Sequence, residues 1–258
     1  MPPPERRDPN RAFVFGIDAE RYHRARPSYP AALIDDLVQL GGRRVLDVGC
    51  GTGKAGALFV ARGCEVLGVE PDERMAAIAR RSGLPVEIDT FERWDPAGRT
   101  FELVVSGQAW HWVDPRIGPA KAAGVLVPGG SLAVFRNRPG HEPFIRTRLD
   151  EVYRRVVPDL ARDSTVFGGE GVSRTDEMIG AIDRSRRFEP ATIRVYPWDA
   201  TYTTEQYLDG LQTHSDHLLL ASATLGRLLE GIRDVLDANG GCITIDFETT
   251  LICARRTG

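Results

Sequence analysis

Residues Val45–Lys54 read VLDVGCGTGK, an apolar run carrying one acid, Asp47, that breaks into alternating glycines at Gly49, Gly51 and Gly53. Such a run predicts a buried strand. Glycines at this spacing let the chain turn sharply after the strand, approach a ligand closely and present amide donors where a helix begins. A nucleotide-like ligand is therefore expected at the loop. The loop alone leaves the nucleotide open, because Gly51, Gly53 and Gly56 also satisfy the G-x-G-x-x-G pattern of dinucleotide sites. Asp47 discriminates: a carboxylate there repels a pyrophosphate and attracts a cationic ligand end. The bland alternative is an aspartate that bonds only the loop amides. A phosphate-binding P-loop is excluded, since Ala55 follows Gly53-Lys54 where that motif needs serine or threonine.

Working outward, CEVLGVE predicts a second strand ending at Glu70, followed by a helix over PDERMAAIARRSG that Asp72 caps and Gly83 ends. LPVEID, FELVVSG and SLAVF predict the third to fifth strands, with PGG at 128–130 turning the chain into the fifth. Ahead of the glycine loop, SYPAALIDDLVQLGG starts near Pro30 and puts Leu33, Leu37 and Leu40 on one helical face. Near the C-terminus ATIRVYPWDATYT reads as a strand whose Pro197 assigns it to a sheet edge. A long helix then places Leu225, Leu228, Leu229, Ile232 and Leu236 together, and Asn239-Gly240-Gly241 turns it back into ITIDFETTLICA.

VLDVGCGTGK resembles the first motif of class I S-adenosylmethionine-dependent methyltransferases, and the resemblance extends over roughly 22–255, with its specific motifs in the first half. It implies a Rossmann-like α/β fold: a seven-stranded, mostly parallel sheet with an antiparallel last strand, an N-terminal arm and a helical lid insertion. It also implies S-adenosylmethionine as cofactor, whose amino group and sulfonium suit Asp47. Glu70 would take the two ribose hydroxyls, or else serve as a charge at the next helix start. Asp89 is similar to the acid that takes the adenine amino group, with Thr90 or Phe91 beside it, although Ile88 stands where relatives usually have glycine. Gly107, Gln108 and Ala109 would lie over the methionine half. The segment QAWHW resembles that of the trans-aconitate methyltransferase-like group. It would direct Trp110, His111 and Trp112 toward the acceptor, with both tryptophans as plain core the competing reading.

The spacing of Tyr22, Arg26 and Tyr29 in RYHRARPSYP also opens many relatives. Arg26 would pair with the cofactor carboxylate, Tyr22 would cover the site and Tyr29 would face the substrate, unless the segment is simply an arm packed on the sheet. His214, Asp216 and His217 in THSDHLLL form a second polar cluster from which His214 could reach the substrate. His111 is the candidate general base if the acceptor is a hydroxyl, whereas a carboxylate acceptor needs none.

At 258 residues and 42 % apolar composition, one domain with a full core is expected. Residues 1–21 read as a disordered arm, 22–258 as a single domain, and 137–189, which interrupts the strand–helix alternation, as a lid. A net charge of −3 provides no global attraction for nucleic acid. The arginines of RTRLDEVYRR and DRSRRFEP read as solvated helix faces, with an anionic substrate the lesser alternative. Cys50, Cys64, Cys242 and Cys253 lack metal or disulfide spacing and read as small core residues. No leader or membrane-length apolar run is visible, so the expected location is cytoplasmic, with no membrane partner and a monomer or homodimer as the assembly.

Three functions fit the sequence: a methyltransferase acting on oxygen of a small molecule, a nicotinamide-dependent oxidoreductase, and a non-catalytic adenosyl-binding protein. Asp47 and the lack of a Tyr-x-x-x-Lys dyad weigh against the second. The combined set of Asp47, the loop glycines, Glu70 and Asp89 weighs against the third. The strand end after FELVVSG also lacks the N-P-P-Y or D-P-P-Y segment of amino-methylating DNA enzymes, which disfavours a DNA base as acceptor.

Overall fold

A computed structural model describes residues 15–163 and 171–258. Helices α1 (Ala19–Ala25) and α2 (Ala31–Gln39) precede an alternating series: β1 (Arg44–Val48), α3 (Lys54–Val60), β2 (Glu65–Val69), α4 (Glu73–Arg81), β3 (Val86–Glu87), β4 (Phe101–Gly107), α5 (Gly118–Val125) and β5 (Leu126–His141). Helices α6 (Pro143–Val156), α7 (Pro158–Asp163) and α8 (Gly171–Ser185) lead to β6 (Thr192–Thr203). Then α9 (Thr204–Leu211), α10 (Ser215–Leu218) and α11 (Ser222–Asp237) lead to β7 (Cys242–Arg255).

The seven strands form one sheet in the order β3-β2-β1-β4-β5-β7-β6. β1 pairs in parallel with β2 and β4, whereas β7 runs antiparallel to both β5 and β6. The expected sheet is thus the observed one, with the Pro197 strand at its edge.

Strand alternation divides the core between two faces. Val45, Leu103, Val105 and Phe135 meet Leu33, Ile34 and Leu37 of α2 and Phe59 of α3 on one side. Leu46, Val48, Val104 and Val134 meet Ala122 and Val125 of α5 and Ile182 of α8 on the other. Burial on both faces explains why β1 reads as an unbroken apolar run rather than an alternating one.

β1 and β2 have five residues each, but β5, β6 and β7 have 16, 12 and 14. β5 leaves β4 after the Gly107–Phe135 pair and continues to His141 paired with β7 alone. A third core grows on this extension, where Leu149, Val152 and Tyr153 of α6 pack with Leu208 and Leu211 of α9, Leu228, Ile232 and Leu236 of α11, and Ile245 and Phe247 of β7. A Thr203–Gln206 capping box starts α9 directly from the end of β6.

Several sequence expectations change. Residues 15–21 of the expected disordered arm form a 3-10 turn and the first turn of α1, because Ala19 packs with Met75 and Ile78 of α4; residues 1–14 lie outside the described residues. The expected lid over 137–189 is not one unit. Residues 137–141 are paired strand, α6 belongs to the third core, and Ile182 of α8 is fully buried against the sheet. The glycine-containing loop in that segment falls largely outside the described residues. The third strand shrinks to two residues, and Cys242 is exposed rather than core. The α6 arginines are solvated, with Arg148 paired to Glu151 at 3.0 Å and Arg154 to Asp150 at 2.6 Å. Among the described residues no helix is long and apolar enough to cross a membrane.

Candidate functional site

The carboxyl ends of β1, β2 and β4 open into a cavity of about 1300 Å³ that continues under the β5–β7 extension. Its position follows from the open-sheet rule that ligands bind beyond the strand ends where the strand order reverses. β1 sits between β2 and β4, so the glycine loop lies at that reversal.

Backbone shapes the first half of the site. Gly49, Gly51 and Gly53 have φ of 65°, 56° and 81°, a region that side-chain-bearing residues disfavour. A Cβ on Gly49 would stand 2.5 Å from that of Ala109, so the loop and the end of β4 approach as closely as glycine allows. Gly53 does not line the cavity. It opens α3, where a Cβ would meet Ala79 of α4 at 3.0 Å, so it serves helix packing rather than ligand contact.

Two acids sit behind this loop. Asp47 is 1 % exposed; Oδ2 accepts the Gly56 amide at 3.0 Å, and Oδ1 is buried without a hydrogen-bond partner among the described residues. Burial pushes its pKa up to about 7, against the pull of the Gly56 amide, with Glu70 adding repulsion. Glu70 Oε2 accepts the Gly51 amide at 2.9 Å and Oε1 the Asp72 amide at 3.0 Å, and burial raises its pKa likewise to about 7. Each oxygen retains acceptor capacity for a ligand hydroxyl. The sequence reading of Glu70 as either ligand contact or helix-end group is thus too sharp a division, since the amides it holds belong to the glycine loop and to the cap of α4.

Thr90 and Phe91 line the cavity, but Asp89 does not. Its Oδ1 accepts the Thr90 amide at 2.8 Å and lies 3.7 Å from Arg93, a turn arrangement that follows a strand cut short ahead of Ile88. Trp110 also departs from expectation. It forms part of the wall but is 4 % exposed and packs 6.0 Å from Phe91 in the core, whereas Trp112 and His111 are half-buried and face the cavity. Gln108 has a φ of 60°, and its side chain donates to the Asn137 carbonyl at 3.3 Å, fixing the end of β4 to the extension.

α1 spans both halves of the cavity. Phe15 stands edge-on to Tyr22 at 5.7 Å and to Trp112 at 6.2 Å, closing an aromatic roof. Arg26 lies 5.2 Å from the centre of the Tyr22 ring and donates to the Thr213 carbonyl at 2.8 Å; burial lowers its pKa, and Tyr22, Tyr29 and Asp216 oppose the shift. Its Nε is buried without a hydrogen-bond partner among the described residues, which suits an anionic ligand group. Tyr29 borders the same space, its ring edge-on to Phe135 at 4.8 Å.

In the second half His214 lines the cavity, and burial and the Arg26 charge hold its pKa well below the ordinary histidine value. His217 does not reach the cavity. It is fully buried and bonds Tyr153 at 2.7 Å, tying α10 to α6. Sequence reasoning missed His141 and Tyr207, which line the cavity and bond each other at 3.0 Å. The sequence reading ends the fifth strand at SLAVF and gives 137–189 to a lid; alternation with the opposing β7 residues is the signal that would have placed His141 on the cavity side.

The geometry fits an adenosyl ligand with a cationic end. A buried carboxylate oxygen lacking a donor among the described residues, a loop whose Gly49 leaves no room for a side chain and a second acid beside it are the observations that fit. Residues 45–130 match a family described as a methyltransferase domain. An uncharacterized methyltransferase of Mycobacterium bovis is 40 % identical over 135 residues, 51 % of this chain and 54 % of that one. A ubiquinone biosynthesis O-methyltransferase of Rhizobium rhizogenes is 34 % identical over 102 residues, 37 % of this chain and 41 % of that one. The chain spans about half the length of the curated relatives it matches. Among solved structures, one assigned as a type II methyltransferase from Anaeromyxobacter dehalogenans covers 89 % of this chain and 97 % of its own, with a TM-score of 0.64 at 22 % identity. That likeness concerns the fold.

Proposed function

We propose, from the premise that this chain belongs to the class I S-adenosylmethionine-dependent methyltransferase family, that it methylates an oxygen of a small molecule. The observation that carries the reading is Asp47, a buried carboxylate with one oxygen unpartnered among the described residues, behind a glycine loop that meets Ala109 too closely at Gly49 for a side chain. S-Adenosylmethionine, when bound, supplies a methyl group on a sulfonium that leaves without assistance.

The chain's own residues then have four tasks. Asp47 and the loop amides hold the cofactor, Glu70 accepts its ribose hydroxyls, and the Arg26 guanidinium takes a carboxylate. Phe15, Tyr22 and Trp112 cover the space between the two halves and exclude water; their ring faces also tolerate a sulfonium charge. The wall under the extension orients the acceptor, since placing a lone pair in line is most of what this reaction requires. His111, beside Trp112 at 4.7 Å, accepts the proton if the acceptor is a hydroxyl. The small-molecule reading is supported by the enclosure of the acceptor half beneath the extension, and the formal charge supplies no attraction for nucleic acid.

Transfer of label from methyl-tritiated S-adenosylmethionine to a panel of phenols, alcohols, carboxylates and amines tests the proposal. His111→Ala should lower turnover on a hydroxyl acceptor by about 10²–10⁴-fold with cofactor affinity nearly intact. Label transfer only to nitrogen acceptors would refute the oxygen assignment, and unchanged turnover would remove His111 from the site.

A further inference from the structure

Among the described residues, the helices packed on the β5–β7 extension contribute to two histidine–tyrosine pairs of similar geometry and different surroundings. Tyr153 and His217 bond at 2.7 Å within the packed third core, and neither lines the cavity. His141 and Tyr207 bond at 3.0 Å, are half-buried, and both line it. The second pair therefore presents hydrogen-bonding capacity to a ligand.

We infer that the acceptor half of the cavity receives an uncharged, apolar-bodied molecule bearing a hydroxyl, with Tyr207, held by His141, as the group that meets that hydroxyl. The inference rests on the methyltransferase reading for its meaning, but the binding it asserts does not depend on it.

A tyrosine hydroxyl has one donor and two acceptor positions, and one of these is committed to His141. If His141 Nε2 carries the proton, it donates to Tyr207 and the tyrosine O–H is available to the ligand. If Nε2 is bare, it accepts the tyrosine proton and the tyrosine oxygen is left as an acceptor. A ligand hydroxyl satisfies both arrangements, because it donates as well as accepts. A carboxylate satisfies only the first. It would also lie against a pair that carries no charge near neutral pH, since burial and the nearby Arg146 hold His141 down at a pKa of about 4 and burial raises that of Tyr207.

The surroundings point the same way. His141 stands opposite Ile245 across the β5–β7 pair, and Ile245, Phe247 and Leu211 form an apolar wall beside it. Arg136 and Arg138 also border the cavity, but strand alternation puts them on the opposite face of β5 from His141. Leu219 and Ile117, 59 % and 44 % exposed, border the cavity as well and leave apolar surface there for the body of the ligand.

Calorimetric titration of 4-alkylphenols from ethyl to hexyl, with tricarballylate as the carboxylate probe, tests this with and without saturating S-adenosylhomocysteine. Affinity for the alkylphenols should rise by about fourfold per added methylene until the wall is filled. Tyr207→Phe should weaken 4-hexylphenol by about threefold to tenfold, the range of one lost hydrogen bond. Tyr153→Phe should leave it unchanged, and a wild-type circular dichroism spectrum with a cooperative thermal transition verifies that both variants are folded. Tricarballylate binding in preference to 4-hexylphenol, no alkylphenol binding, or equal losses in the two variants would overturn the inference. If S-adenosylhomocysteine fails to bind the wild type while the alkylphenol series behaves as stated, the cofactor reading falls and the acceptor inference stands.

Discussion

The two halves of the cavity are built from different materials. Around β1 and β2 the site is backbone: glycines at positive φ, loop amides and two carboxylates that collect them, all within residues 47–72. Under the β5–β7 extension it is side chains gathered from distant segments, with His141, Tyr207 and His214 coming from three separate elements or their flanks. A backbone site tolerates little change in sequence because its shape is the chain itself. A side-chain site can be rebuilt residue by residue on the same scaffold. The first half is thus suited to a fixed ligand and the second to a varying one.

Substitutions in the backbone half should have the largest consequences. Gly49→Val places a β-branched residue at a φ of 65° and its Cβ 2.5 Å from Ala109. Strain and overpacking together should cost about 2–5 kcal/mol in urea unfolding and abolish S-adenosylhomocysteine binding. A variant that binds normally would show that the loop relaxes, and the contrast between the halves would fail. In the third core, Tyr153→Phe leaves the fully buried His217 without its 2.7 Å partner and should cost about 1–3 kcal/mol, with cofactor affinity unchanged. A matching fall in cofactor affinity would mean that the halves are mechanically coupled.

The same contrast explains what the sequence revealed. Asp47, the loop glycines and Glu70 are neighbours along the chain, and the physics that makes a tight anion-free turn is local, so VLDVGCGTGK and the following acid suffice to locate them. The succession of strands and helices was legible for a related reason: each β–α unit carries its own period. Asp89 lies outside the cavity lining and Trp110 lies mostly in the core behind the wall, because their positions depend on how far β3 runs and on which way the turn after β4 rolls, and neither is written in a few adjacent residues. His141 pairs with Tyr207 across 66 positions. The register of β5 against β7 and the start of α9 at the end of β6 bring them together, and neither is visible in the residues around His141 alone.

A smaller effect distinguishes the halves by pH. Asp47 and Glu70 both have folded pKa values raised to about 7, so the ligand-free fold prefers them protonated. Their contribution to stability is fully present below the unfolded carboxylate range and is lost as pH rises through about 7. The ligand-free protein should therefore lose thermal stability between about pH 5 and pH 8 from this source, while a cationic ligand that needs the ionised carboxylate should bind more tightly over the same interval. For a single controlling group the gain from pH 6 to pH 8 is about tenfold. His141, already neutral above a pKa of about 4, should give binding of 4-hexylphenol no such dependence. A flat S-adenosylmethionine profile would indicate that the buried carboxylates are ionised throughout or do not face the ligand.

The most direct test of the central claim is a calorimetric comparison of S-adenosylhomocysteine and NAD on the wild-type chain. An acid behind a glycine loop, rather than a loop open to pyrophosphate, predicts saturable binding of S-adenosylhomocysteine at one site per chain and no measurable heat with NAD. Binding of NAD, or no binding of S-adenosylhomocysteine at millimolar concentration, would contradict it.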